Sequence, residues 1–325
     1  MQERIREKTR GLHISMPGLV TASFLDEIAK AQPLPDRQFD LPTKRVRANG
    51  AEFNYFEFGE GEPVVLVHGS IGDYRTWGYQ FESFSASYKV ISYSRRYHYP
   101  NVWVGDGSDY STGLHTDDLA GFIKALELGP AHIVGQSGGA TIATQCASFY
   151  PEVIRTLVVD EPEWVPWLIE LGGQAFIDEW VANVDQPAAN ALAANDDERA
   201  IQIFVDGVLG AGTYAKLSPE MRLVMLDNAP ELRVELKYAG TYYSPFSFDD
   251  AKRIKAPTLL IEGASSLPMF RPALVKLLEC VPTIEHAVID GAPHAAHFVT
   301  PDRFNEVVLD FLTRQSRSQT ASLRV

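Results

Sequence analysis

A serine between glycines, in Gly135-Gln136-Ser137-Gly138-Gly139, is the strongest chemical signal in this 325-residue sequence. It follows an apolar run, AHIVGQ, and precedes a run with helical character, ATIATQCASF. A tight turn between a strand and a helix exposes its central side chain at the carboxyl end of the strand, and flanking glycines permit that turn. The alternative, a phosphate-binding loop, lacks the following Lys-Ser/Thr pair. The pattern therefore predicts that Ser137 is a nucleophile.

The elements around this serine predict an α/β fold. Short apolar runs alternate with helical patterns, which is typical of a parallel sheet buried on both faces. The runs are PVVLVHG, KVISYS, AHIVGQS, RTLVVDE, PTLLIEG and TIEHAVIDG. Asn49-Gly50 predicts a β-hairpin before them. Residues 116–128 predict a crossover helix that begins at a Thr cap and stops at Gly129-Pro130.

The alternation lapses between Trp164 and Phe248, where about 85 residues are rich in Ala, Leu, Met and aromatic side chains. A block of this length is too long for a loop, so we predict an inserted helical lid domain. The expected organisation is an N-terminal extension (1–42), the first part of the core (43–162), the lid (163–250) and the second part of the core (251–325).

Composition excludes several classes of protein. The net charge is −13, from 29 basic and 42 acidic side chains, and this field repels nucleic acids and anionic membranes. No segment approaches the roughly 18 apolar residues of a membrane span. Cys146 and Cys280 form no disulfide framework or metal-binding spacing. We expect a cytoplasmic protein with a small-molecule substrate, no metal or cofactor, no nucleic-acid or membrane partner, and a homodimer as a candidate assembly.

Several motifs in order along the chain resemble those of the α/β-hydrolase superfamily. They match its lid-bearing branch of esterases, lactonases, C–C bond hydrolases, epoxide hydrolases and haloalkane dehalogenases. The motifs are His68-Gly69 with Trp77, the turn at Ser137, Pro151-Glu152, Ile254-Lys255-Ala256-Pro257-Thr258, and Gly291-Ala292-Pro293-His294 with Pro301. The resemblance spans about residues 43–315. It implies the α/β-hydrolase fold, a mostly parallel sheet with flanking helices and an inserted helical lid.

The resemblance also implies roles for residues outside the serine turn. His294 corresponds to the general base, which takes the Ser137 proton and returns it to the leaving group. His297 is the alternative base, one helical turn further on. The oxyanion hole corresponds to the backbone N–H groups of Gly138 and Ser70.

The acid departs from the commonest pattern of the family. Most relatives have Asp at the fourth position of a Gly-x-x-Asp turn, which here reads Gly263-Ala264-Ser265-Ser266. Relatives with an earlier acid carry it where this chain has Glu161, so the resemblance favours Glu161 as the partner of His294. Asp160 and Glu262 stay open as alternatives. Because side chains alternate along a strand, only one of Asp160 and Glu161 can face the site.

The nucleophile narrows the chemistry, since relatives that open epoxides or displace halide use Asp there. We predict a serine hydrolase, a carboxylesterase or lactonase, that acts on a bulky apolar ester or lactone through an acyl-enzyme. The alternatives are a C–C bond hydrolase of ring-fission diketones and a non-catalytic or single-turnover ligand-binding homologue. The predicted substrate-binding aromatics of the lid are Trp164, Trp167, Tyr214 and Tyr243.

Overall fold

The computed structural model describes residues 42–322, in which eight strands form one sheet. The strands are β1 (Lys44–Ala48), β2 (Ala51–Phe58), β3 (Pro63–Val67), β4 (Lys89–Tyr93), β5 (Ala131–Gln136), β6 (Ile154–Asp160), β7 (Thr258–Gly263) and β8 (Glu285–Ile289). Their order is β1-β2-β4-β3-β5-β6-β7-β8. The β1–β2 and β2–β4 pairs are antiparallel and all other pairs are parallel, which confirms the predicted mostly parallel sheet.

The helices flank the sheet or lie between β6 and β7. They are α1 (Gly78–Ser85), α2 (Thr112–Ala125), α3 (Gly138–Phe149), α4 (Val165–Glu170), α5 (Gln174–Trp180), α6 (Gln186–Ala193), α7 (Asp197–Leu209), α8 (Pro219–Asp227), α9 (Ala229–Lys237), α10 (Ala239–Tyr242), α11 (Phe248–Ala251), α12 (Arg271–Cys280), α13 (Ala296–Val299) and α14 (Pro301–Ser322). The predicted extension, residues 1–42, lies outside the described residues except for residue 42. None of the described helices has the length and apolar character needed to cross a membrane.

Local sequence explains where two of the predicted elements begin. The hairpin turn falls at Asn49-Gly50, where φ is 44° and 74°, as a tight turn between antiparallel strands requires. The crossover helix α2 starts earlier than predicted, because Ser111 is its cap and accepts a hydrogen bond from the Leu114 amide. Thr116, the predicted cap, lies inside the helix and donates its hydroxyl to the Thr112 carbonyl at 2.8 Å.

The sheet is buried on both faces, because alternate strand residues enter different cores. In β3, Val65 and Val67 join the core that contains Phe122 of α2, whereas Val64 and Leu66 join the core on the opposite face. Packing on both sides holds the carboxyl ends of the parallel strands in place. Those ends carry the candidate site.

The helical insertion, Val165–Ala251, has a third core that also covers the sheet edge. Its apolar side chains pack with Ile71 from the loop after β3 and with Ala295 and Phe298 after β8. The insertion therefore rests directly on the loops that carry Ser70 and His294.

Candidate active site

Ser137 occupies the turn between β5 and α3 with φ 53° and ψ −126°, a conformation that is strained for any residue except glycine. Its amide donates to the Asp160 carbonyl at 2.9 Å, which ties the turn to β6. The glycines are needed for close packing, since a Cβ on Gly139 would lie 2.2 Å from the Val67 carbonyl oxygen. The structure thus places Ser137 in the predicted strand–turn–helix setting.

His294 lies beside Glu161, with 2.9 Å between the imidazole Nδ1 and the Glu161 Oε2. Both side chains are buried. A carboxylate accepts, so Nδ1 carries the proton and Nε2 is left as the acceptor for a serine hydroxyl. The Phe270 ring stacks on the imidazole at 4.1 Å, and Gln136 Nε2 donates to the His294 carbonyl at 3.0 Å. The histidine is therefore held on several sides.

The loop after β7 holds the Glu161 carboxylate. Oε1 accepts the Gly263 amide at 2.7 Å, and Oε2 accepts the Ser266 hydroxyl at 2.6 Å as well as the His294 Nδ1–H. Ser266 stands at the position where the Gly-x-x-Asp pattern would place an acid. Sequence reasoning noted the missing carboxylate in this turn but missed the role of the serine that replaces it.

Asp160, the alternative acid, faces a different part of the loop after β8. Its nearest basic partner is His297, at 3.9 Å from Oδ2 to Nδ1, and neither of its oxygens has a hydrogen-bond partner within residues 42–322. Burial, reinforced by the neighbouring Glu161 charge, raises the pKa of the Asp160 carboxyl well above its usual range. Burial and then the His294 charge lower the pKa of His297 to about 3, so this imidazole is neutral near pH 7.

Glu262, the remaining alternative, lies away from His294 among other basic side chains. Its Oε2 is 3.0 Å from the His286 Nε2, and its Oε1 is 3.7 Å from the Arg271 Nε. The structure thus brings Glu161, of the predicted acids, into contact with His294.

The loop after β3 lies against the serine. A Cβ on Gly69 would lie 3.0 Å from the Ser137 Cβ, and Ser70 lines the same cavity as Ser137. His68 braces the loop, with Nδ1 at 2.8 Å from the Gly69 carbonyl and Nε2 accepting the Arg95 amide at 3.0 Å. The amides of Ser70 and Gly138 are thus on the elements that border Ser137, as an oxyanion hole requires.

A cavity of about 330 Å³ opens above Ser137 and His294. Its walls come from the sheet edge and from the helical insertion. The apolar insertion residues that line it are Val165, Ile177, Trp180, Val181, Phe204, Val205, Val208, Leu209, Met221, Val224, Met225, Leu236 and Ala239. Tyr243, predicted to bind substrate, lines it too.

Trp164, Trp167 and Tyr214, predicted to bind substrate, do not line this cavity, and each is used in packing. The two indole rings lie 4.3 Å apart, and Trp167 Nε1 donates to the Phe246 carbonyl at 2.7 Å. Tyr214 is buried in the core of the insertion. Aromatic content alone does not distinguish a side chain that packs from one that faces a cavity.

Sequence reasoning also missed carboxyl groups that line the cavity. These are Glu163, Asp185 and Glu235. The Ser70 hydroxyl donates to Glu235 Oε2 at 2.7 Å, and the Trp180 indole N–H donates to Asp185 Oδ1 at 2.7 Å. One signal in the sequence could have pointed to Glu163, because Glu161-Pro162-Glu163 puts a second acid two residues after the predicted one. Within the described ranges, no group of three or more His, Cys, Asp or Glu side chains is arranged to hold a metal ion.

The parallel sheet, the strained serine at a strand–helix turn and the neighbouring histidine–glutamate pair define the class of α/β hydrolases. The chain belongs to the alpha/beta hydrolase family, whose sequence profile it matches over residues 64–307.

Known proteins agree with this assignment. The chain is 32% identical over 275 residues to the (E)-2-((N-methylformamido)methylene)succinate hydrolase of Acinetobacter baylyi. The alignment covers 82% of this chain and 95% of that protein. Among solved structures, Est816, described as an N-acyl homoserine lactone degrading enzyme, has a TM-score of 0.66 and 24% identity, covering 82% of this chain and 100% of its own. The carboxylesterase CesB of Bacillus subtilis has a TM-score of 0.68 and 16% identity, and the match covers 89% of this chain and 96% of the CesB chain.

Proposed function

We propose that the protein is a serine hydrolase that cleaves a carboxylic ester or lactone with an apolar acyl group. The observation that carries the proposal is the contact between Glu161 and His294 at 2.9 Å beside the strained Ser137 turn. A glutamate on Nδ1 orients the imidazole so that Nε2 can accept the hydroxyl proton.

The reaction proceeds in two halves. The Ser137 Oγ attacks the carbonyl carbon while His294 Nε2 takes the hydroxyl proton, and the amides of Gly138 and Ser70 stabilise the oxyanion. His294 returns the proton to the leaving oxygen as the C–O bond breaks, which leaves an acyl-enzyme. A water then attacks the acyl carbon, again with His294 as base, and releases the acid and free Ser137.

The helical insertion acts as the lid in this proposal. It supplies most of the apolar lining above Ser137 and leaves a cavity of about 330 Å³, a size suited to a small ligand. The lactone-degrading and carboxylesterase structural neighbours support both ester and lactone substrates as candidates.

The test is covalent labelling together with turnover. A fluorophosphonate should add one label to the intact protein at Ser137, and Ser137→Ala should remove both the label and about 10⁴-fold or more of kcat. Circular dichroism checks that the variant is folded. A panel of p-nitrophenyl esters, lactones and ring-fission diketones separates ester hydrolysis from C–C hydrolysis. Full activity in Ser137→Ala, or binding without turnover of any ester, would overturn the proposal.

A further inference from the structure

Glu163 is placed on the cavity side of the same turn that carries Glu161. Its backbone is fixed, because the Thr141 hydroxyl donates to the Glu163 carbonyl at 2.6 Å. Its side chain receives the Tyr242 hydroxyl on Oε1 at 3.3 Å. The carboxyl is therefore positioned by contacts from α3 and α10.

The Glu163 carboxyl lies close to the position where chemistry is proposed. A Cβ on Gly138, the residue after the nucleophile, would lie 3.1 Å from Glu163 Oε1 and 3.2 Å from the Tyr242 hydroxyl. Neither Asp185 nor Glu235 approaches this glycine as closely. A substituent next to the scissile carbonyl of a bound substrate would therefore lie nearer to Glu163 than to Asp185 or Glu235.

The carboxyl is deep in the protein but open to the cavity. Glu163 keeps part of its surface accessible there, and its second oxygen, Oε2, has no hydrogen-bond partner within the described chain. Burial raises the pKa of Glu163 to about 7, against the lowering effect of the Arg95 charge. Because this oxygen faces the cavity and has no protein partner, it can accept a hydrogen bond from a ligand that supplies a donor.

Most of the insertion side chains that line the cavity, such as Val205, Val208 and Met225, are apolar. The two other carboxyl groups of the lining, Asp185 and Glu235, already accept hydrogen bonds from Trp180 and Ser70. The cavity therefore combines a mostly apolar chamber with the Glu163 acceptor beside the nucleophile.

We infer that Glu163 selects esters or lactones that carry both an apolar chain and an N–H or O–H donor adjacent to the scissile carbonyl. The apolar chain of the substrate occupies the chamber formed by the insertion, and the substrate's donor binds Glu163 Oε2. This inference rests on the proposed function, since it assumes that the scissile carbonyl lies at Ser137.

The experiment measures binding, so that it does not depend on turnover. In a Ser137→Ala background, titration calorimetry compares N-hexanoyl homoserine lactone with its N-methylated amide, which lacks the donor. We expect the N–H ligand to bind about tenfold or more tightly. Adding Glu163→Leu should bring the two dissociation constants within about threefold of each other, and Glu163→Gln, which keeps an acceptor oxygen, should retain part of the preference. Glu170→Leu, at an exposed position of α4, is the matched control and should keep the full ratio.

Equal affinities for the N–H and N-methyl ligands in the Ser137→Ala background would overturn the role of Glu163. A preference for the N–H ligand that persists in Glu163→Leu would overturn it too, because the effect of the N-methyl group would then be steric. If Glu163→Leu does not fold, Glu163→Gln carries the test, and an undiminished ratio in it would likewise overturn the role. Turnover by the unmodified protein is measured separately with p-nitrophenyl hexanoate, so a lack of hydrolysis reports on the proposed function and not on donor selection.

Discussion

The Ser266 hydroxyl donates to Glu161 Oε2 at 2.6 Å, and the same oxygen lies 2.9 Å from the Nδ1 of His294. Ser266 is therefore linked to the imidazole by two hydrogen bonds through the Glu161 carboxylate, and it stands at the position where the Gly-x-x-Asp pattern would place an acid. The turn after β7 supplies the donors for an acid that comes from the end of β6. This arrangement separates the acid from the loop that orients it.

Ser266→Ala should lower kcat about tenfold with little change in KM, because it removes one of the hydrogen bonds that orient the Glu161 carboxylate without changing the cavity beside Ser137. Steady-state kinetics on a p-nitrophenyl ester measures the split. Ser265→Ala, at the exposed neighbouring position, is the control and should behave like the unmodified protein. Equal kinetics in the two variants would contradict a positioning role for Ser266.

Glu161→Gln should reduce kcat by about 10³-fold or more, whereas Asp160→Asn should cost far less. The reason is contact, since Glu161 meets His294 and Asp160 faces His297 at 3.9 Å. Asn is also close in shape to Asp. The two variants are compared by kcat and by thermal unfolding. If Asp160→Asn proves the more damaging to kcat in a folded protein, the acid must be reassigned.

A carboxylate at position 266 should partly replace the one at 161. The Ser266 Oγ already lies 2.6 Å from the oxygen that meets His294, so Asp at this position can approach the same Nδ1. We expect the double variant Glu161→Ala/Ser266→Asp to exceed Glu161→Ala in kcat by about tenfold or more. Glu161→Ala/Ser265→Asp is the matched control and should give no recovery. No gain from the acid at 266 would show that the loop cannot place a carboxylate on His294.

Sequence patterns were sufficient for the sheet and for the serine turn, because both depend on local rules. Continuous apolar runs require burial on both faces, and Ser137 between glycines requires a tight strand–helix turn. The polar wall of the cavity was not predictable in this way. Glu163 and Glu235 are 72 residues apart in sequence, and they share a cavity only because the insertion folds over the sheet edge. Trp164 and Trp167 pack in a core and do not line the cavity. The sequence could not show this, since a pattern shows that an aromatic side chain is buried but not which surface buries it.

Narrowing the apolar chamber should shorten the preferred acyl chain. Val208 of α7 lines the cavity, and Val208→Trp would fill space that a chain occupies in the proposed complex. We expect kcat/KM to fall about tenfold or more for p-nitrophenyl octanoate while p-nitrophenyl acetate changes by less than about threefold. Val275→Trp, on an exposed face of α12, is the control. A uniform decrease across chain lengths would place the acyl chain elsewhere.

Glu163 should contribute a loss of stability as pH rises from about 5 to 8. Burial raises the pKa of Glu163 to about 7 in the folded protein, above the ordinary value of 4.5. In this window the Glu163 carboxyl binds more protons in the folded state than in the unfolded state, so its contribution to the free energy of unfolding decreases with increasing pH. Arg95 and Tyr242 oppose the shift, and the charges of Glu231 and Asp185 reinforce it.

Urea unfolding at pH 5.5 and pH 8 measures the effect in the unmodified protein and in Glu163→Gln. The amide cannot ionise, so the free energy of unfolding of the variant, relative to that of the unmodified protein, should be higher at pH 8 than at pH 5.5. Asp185, whose pKa burial raises to about 6, contributes a decrease of the same sign that both proteins share. The difference between the two slopes therefore isolates Glu163. Parallel slopes would mean that its carboxyl titrates in the folded protein as it does in the unfolded chain.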